Sequence, residues 1–163
     1  MNGARFFASL ITLFSLAASP VYAAINTYLL IPGVPGESVA DRYEGWIDVD
    51  TLSVGVTAGV CDGFTLQKTL DRASPLLSAA ALFRTIYPTA TIESVKDGIG
   101  LQRFLVYSLE SVTVYSVAVK NTAESVTEVL TLRPATVTIT YRPQRQDGTF
   151  DAAITSVVPC KYR

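Results

Sequence analysis

The chain contains no histidine. That removes the side chain used most often as a general base near neutral pH, and the commonest metal ligand with it. Cysteine is scarce as well, at two residues, so a zinc site would have to draw on carboxylates. Charged residues make up only 17% of the sequence and the formal net charge is -1, which leaves no basic field for nucleic acid. There is no phosphate-binding glycine loop, no Ser/Gly linker, no block of like charge and no internal repeat. The expectation is a protein that is not an enzyme and has no cofactor, no metal site and no nucleic-acid partner.

Apolar residues are plentiful. At 49% of 163 residues they suffice for one ordinary domain and exceed what a disordered chain carries. Part of the excess lies at the amino terminus. MNGAR supplies positive charge, FFASLITLFSLAA is an uncharged apolar run, and Val21 and Ala23 flank a cut before Ala24. This is the layout of a secretory signal peptide. The run falls short of the roughly 20 residues a membrane span needs, and Pro20 follows it. Residues 1–23 are therefore read as a signal and 24–163 as a single domain, secreted or periplasmic in a bacterium, with no membrane attachment after cleavage. Export would carry Cys61 and Cys160, 99 positions apart, into an oxidising compartment where a disulfide is expected if geometry allows. Two buried free thiols are the alternative.

Most of the remaining sequence is rich in Val, Thr, Ile and Tyr, which suit a pleated, half-buried surface. INTYLLI reads as a first strand. GWIDVDTLSVGVTAGV reads as one long second strand, bent or bulged at Gly55 and Gly59, with CDG as the turn into FTLQKTL. TATIESVK, a hairpin at Asp97–Gly100, LQRFLVYSLESVTVYSVAVK and TFDAAITSVV continue the pattern. In the longest of these the apolar positions shift from even numbers (Val112, Val114) to odd (Val117, Val119), which calls for a bulge. The following strand shifts likewise, from Val126, Leu130 and Leu132 to Val137, Ile139 and Tyr141, with Pro134 between the sets and a break expected there.

One segment is helical in pattern, over about residues 75–86. Ser74 suits the N-cap and Pro75 the first turn, Leu76, Ala79, Ala80 and Phe83 form a stripe widened by Leu77 and Ala81, and Pro88 stops it. The fold class expected is mainly β: an antiparallel barrel or two-sheet sandwich with one flanking helix.

Candidate chemistry is thin. Glu44, Asp48 and Asp50 fall together on a strand but suit a solvated face. Lys68 and Asp71 read as a surface pair across a turn, which contributes little. Trp46 reads as a core residue or an interface anchor. In IPGVPGES, Ile31 to Ser38, both glycines follow prolines, which suits type II turns.

That loop, followed by GWIDV, resembles the amino-terminal motif of the haemolysin-coregulated protein (Hcp) family, the tube protein of type VI secretion. Ile31, Gly33, Val34, Gly36, Glu37 and Ser38 match the family loop, with Pro35 inside it, and Gly45, Trp46, Ile47, Asp48 and Val49 match the strand after it. Asp71, Arg72, Ser74, Pro75 and Leu77 are similar to the segment opening the family's helix. Glu128 to Leu132, Ile139, Tyr141 and Asp147-Gly148 are similar to its later strands and turn. The resemblance implies a compact β-barrel that assembles with itself into six-membered rings, stacks through the Ile31–Ser38 loop, and meets effectors or other secretion proteins. Two readings stay open: a ring-forming tube subunit without catalysis, or an exported, monomeric binding module locked by Cys61–Cys160.

Overall fold

A computed structural model describes residues 24–97, 102–145 and 147–162. The expected signal, residues 1–23, and Gly98 to Gly100 of the expected hairpin lie outside the described residues. The chain runs through β1 (Ile25–Leu30), β2 (Ile47–Val49), β3 (Thr51–Thr57), β4 (Val60–Thr69), α1 (Ser74–Phe83), β5 (Ile86–Lys96), β6 (Gln102–Asn121), β7 (Val126–Tyr141) and β8 (Ile154–Pro159). The strands form one curled, antiparallel, eight-stranded sheet in the order β2-β1-β5-β6-β7-β4-β3, with β8 added alongside β7. Leu29, Ile47, Phe64, Leu66, Ile92, Leu109, Val112, Leu130 and Leu132 fill its concave side, and α1 covers them with Leu77 and Ala80.

The expected bulge in β6 is present. Its register against β7 slips between Val114 and Ser116, leaving Tyr115 as the extra residue. Past that slip the odd position Val117 packs against the core, after the buried even positions Val112 and Val114, while Val119 is exposed. In β7 the phase also changes, but without a slip: Glu110 pairs with Thr136 and Val112 with Pro134 in one register. Here the cause is a change of neighbour. β7 pairs with β4 up to Leu132 and with β8 from Thr136, so on that side Pro134 falls between the two ladders, where its missing N–H costs no bond.

Several expectations are corrected. The long second strand is two strands: β2 pairs with β1 and β3 with β4, and Asp50 lies at the changeover. Gly55 does mark a bulge. Cys61-Asp62-Gly63 is no turn but the start of β4. The turn is at Ala58-Gly59, both with positive φ, a type I′ arrangement whose twist matches the strands.

The helix also differs. Ser74 is its first residue, and the N-cap is Ala73, which makes no side-chain cap bond. The helix ends at Phe83, closed by Arg84 in the left-handed region, and Pro88 lies within β5. The buried face is Ser74, Leu77 and Ala80, whereas Leu76 is half-exposed and Phe83 is exposed. With apolar side chains nearly all round a helix this short, periodicity does not single out one face.

Candidate functional site

The Ile31–Ser38 segment leaves β1 and folds back on the chain. Val34 N–H donates to the Ile31 carbonyl at 2.9 Å, and Gly33 at the third position of that turn has φ +84°. This is the expected type II turn at Pro32-Gly33. Gly36 does something else. Its N–H donates to the Gly45 carbonyl, Ser38 N–H donates to the Trp46 carbonyl, and Gly45 N–H donates to the Ser38 carbonyl, at 2.8 to 3.0 Å. A Cβ on Gly36 would overlap the Trp46 carbonyl and crowd Ile47 Cα, so the missing side chain permits close backbone approach rather than a turn. Gly36→Ala is expected to lower stability by about 1–3 kcal/mol, because both segments must part to admit a methyl. A downward shift of the urea midpoint checks this.

Ile31, Gly36 and Ser38 are buried by this closure, as are Ile47 and Val49, while Gly33, Pro35, Glu37 and Asp48 face solvent. Just beyond the motif, Val39 is 90% exposed. Glu37 ties the loop to the helix start: its Oε1 accepts from Arg72 N–H at 3.2 Å and lies 3.6 Å from Arg72 Nε.

Asp71, Ser74 and Lys68 converge beside that point. Lys68 is fully buried, so it is not the surface residue expected. Its Nζ donates to Asp71 Oδ1 at 2.7 Å, Thr69 O at 2.9 Å and Ser74 Oγ at 3.0 Å. Glu128, its cross-strand partner on β7, brings Oε1 to 3.5 Å; it is also fully buried, and neither of its oxygens accepts a hydrogen bond. Lys68 thus balances the charge of Glu128 while spending its three protons elsewhere. Asp71 Oδ1 accepts Ala73 N–H at 2.9 Å and Ser74 Oγ accepts Asp71 N–H at 3.2 Å, so both side chains fix the turn before α1 rather than cap its first amides. The sequence did carry a signal for this cluster. Lys68 shares the phase of the buried Phe64 and Leu66, and Glu128 that of Leu130 and Leu132.

Trp46 is half-buried in a second, smaller cluster with Tyr28, Tyr43 and Val95. Tyr28 and Tyr43 stack at 4.1 Å, and Trp46 meets Tyr43 edge-on at 5.0 Å. Tyr43 donates its hydroxyl proton to the buried Glu93 at 2.8 Å. Burial, then that bond, raises its pKa well above the usual tyrosine value. At the carboxyl end Tyr162, pushed up to about 12 mainly by burial, donates to the Pro134 carbonyl at 2.9 Å. Both tyrosines are protonated in the folded state above pH 10, where the unfolded chain has released those protons. Their stabilisation is complete below pH 10 and declines as pH rises through the folded values. The denaturant midpoint is therefore expected to fall steadily above pH 10, and Tyr43→Phe to flatten that fall.

Cys61 and Cys160 stand at bonding distance with Cα atoms 5.5 Å apart. Cys61 N–H donates to the Lys161 carbonyl and Cys160 N–H to the Ala135 carbonyl, both at 2.8 Å. The pair fastens the segment after β8 across the start of β4.

The family described as "Type VI secretion system effector, Hcp" matches residues 28–141. The chain belongs to the Hcp family. Solved Hcp structures share its fold. Hcp1 from Salmonella typhimurium superposes with a TM-score of 0.74 at 23% identity, over 82% of this chain and 93% of that one. A type six secretion system protein gives 0.73 at 25% identity, over 80% and 92%. The secreted protein Hcp3 from Pseudomonas aeruginosa gives 0.68 at 17%, over 85% and 99%. A search of curated proteins found no match. The Hcp match spans the Trp46–Val49 strand, the Lys68–Glu128 pair and the helix, and it ends before Cys160.

Proposed function

We propose that this Hcp protein is a non-catalytic, ring-forming subunit of the type VI secretion tube, exported from the cell. The observation that carries the ring is apolar surface left over in two separate places. Leu82 (77% exposed), Phe83 (76%), Ile86 and Tyr115 stand out around the end of α1. Val54 and Val56, on one face of β3, stand out beside the Cys61–Cys160 junction. Ring closure joins two unlike patches of one subunit, head to tail, and apolar, well-packed contact is what lasting subunit interfaces use. β8 has a ladder partner on one side only, and β2 and β3 end the strand order, so unpaired edges are available to extend the contact. Negative-stain electron microscopy of the purified protein is expected to show six-fold rings. Phe83→Asp is expected to abolish them while leaving the monomer folded, because the side chain is exposed. Particles without six-fold symmetry in the unmodified protein would overturn the ring.

We also assign residues 1–23 as the export signal and 24–163 as the mature domain. Protein recovered outside the cytoplasm is expected to begin at Ala24 on amino-terminal sequencing.

The cysteine pair favours a second reading, an exported module that works as a monomer. A disulfide closing so long a loop suits an oxidising compartment, where the protein would be apart from a cytoplasmic tube. Oligomeric state separates the two.

A further inference from the structure

Beside the Tyr43–Trp46 cluster the surface opens into a cleft of about 540 Å³, lined by Arg42, Arg103 and Arg142 with Tyr43, Trp46 and Phe150. Among the described residues Glu93 is the one carboxylate on its wall, and it is already engaged. Its Oε2 accepts from Tyr43 and its Oε1 from Arg103 Nη1, each at 2.8 Å. That bond holds Arg103 in place and leaves its other N–H groups free to donate. Arg142 lies over the Phe150 ring at 5.5 Å, and its side chain donates no hydrogen bond to any described residue. Among the described residues, Asp41 at 4.0 Å is the one carboxylate within ion-pair range of Arg42. The cleft thus concentrates cationic donors on a chain whose net charge is slightly negative.

A second observation points the same way. Arg42 has φ +68°, in a turn closed by Tyr43 N–H to the Ala40 carbonyl at 2.9 Å. Glycine or asparagine would occupy that position with little strain, whereas arginine is held there at a cost. What the strain secures is a guanidinium on the rim of the cleft.

A neighbouring cleft of about 420 Å³ shares Arg103 and Arg142 as lining and is walled otherwise by Phe104, Val106, Thr140 and Ala153. A lone phosphate would use the guanidiniums and leave this apolar extension empty. We propose that these two adjacent clefts bind an acidic peptide segment of a partner protein, with its carboxylates on Arg42, Arg103 and Arg142 and its apolar atoms along Phe104 and Val106. Guanidinium forks match carboxylates two bonds at a time, which gives such a site geometry as well as charge. The site lies within one subunit and does not require the ring.

Trp46 is the only tryptophan of the chain and lines the cleft, so its fluorescence reports occupancy. Hexaglutamate is the probe. Titration into the purified protein is expected to give a saturable change that weakens as salt rises. Arg142→Ala and Arg42→Gly are each expected to weaken binding about tenfold or more, and Lys120→Ala, away from the cleft, to leave it unchanged. Arg42→Gly should raise the urea midpoint while it weakens binding, a combination that loss of structure cannot produce. No saturable change, or one indifferent to both arginine variants, would overturn the site. Inorganic phosphate binding as tightly as hexaglutamate would overturn the peptide as its ligand.

Discussion

Lys68→Ala is expected to lower the unfolding free energy by about 3–5 kcal/mol, the loss typical when one partner of a buried ion pair is removed. The reason is the state of Glu128 more than the bonds of Lys68. Both Glu128 oxygens are buried without a hydrogen-bond donor, and Lys68 Nζ at 3.5 Å is the cation that balances them. Without it, a carboxylate would sit in the sheet interior with neither water nor counter-charge. Asp71 and Ser74 would lose their shared donor at the start of α1 as well. Lys68→Met combined with Glu128→Leu removes both charges and refills the space, so it is expected to recover most of the loss. Urea unfolding of the three proteins checks this. A single variant as stable as the parent would mean that the pair carries no weight.

Replacing Cys61 and Cys160 together by alanine is expected to cost about 2–5 kcal/mol under oxidising conditions. The loop they close holds 99 positions, so most of the effect is placed in the unfolded chain, which becomes free to expand. The folded ends stay docked through Cys61 N–H to Lys161, Cys160 N–H to Ala135 and Tyr162 to Pro134. The variant should therefore fold to the same structure with a lower midpoint, and reductant should shift the parent protein to match it. A parent indifferent to reductant would show that the thiols are not joined in solution.

Much of the fold was legible because strand alternation has a period of two and tolerates no ambiguity. The slip at Tyr115 could be placed within a few residues from the phase of four valines alone. Pro134 was legible as an exception, but its reason was not: a change from β4 to β8 as neighbour is a fact of topology. The helix face was misread for the opposite cause. Leu76, Leu77, Leu82 and Phe83 surround a ten-residue helix, so no phase stood out, and the residues left exposed are those that the ring reading uses. CDG looked like a turn by composition, but Ala58-Gly59 had already turned the chain. Lys68 and Asp71 looked superficial because charge ordinarily marks a surface. The phase of Lys68 with Phe64 and Leu66 was the better guide. In the candidate site, the Pro32-Gly33 turn could be read from residue type, whereas the role of Gly36 depends on Trp46, ten residues away. The arginine cleft joins residues from the loop, β5, β6 and the β7–β8 connection, a meeting that no local pattern announces.

The ring is the claim on which the functional reading stands. The most direct test is the mass of the purified protein by light scattering, with and without reductant. Six times the protomer mass in both conditions is the expected result, falling to one protomer for Phe83→Asp. A single protomer at every concentration, loosened only by reductant, would contradict the tube subunit and leave the disulfide-locked exported module in its place.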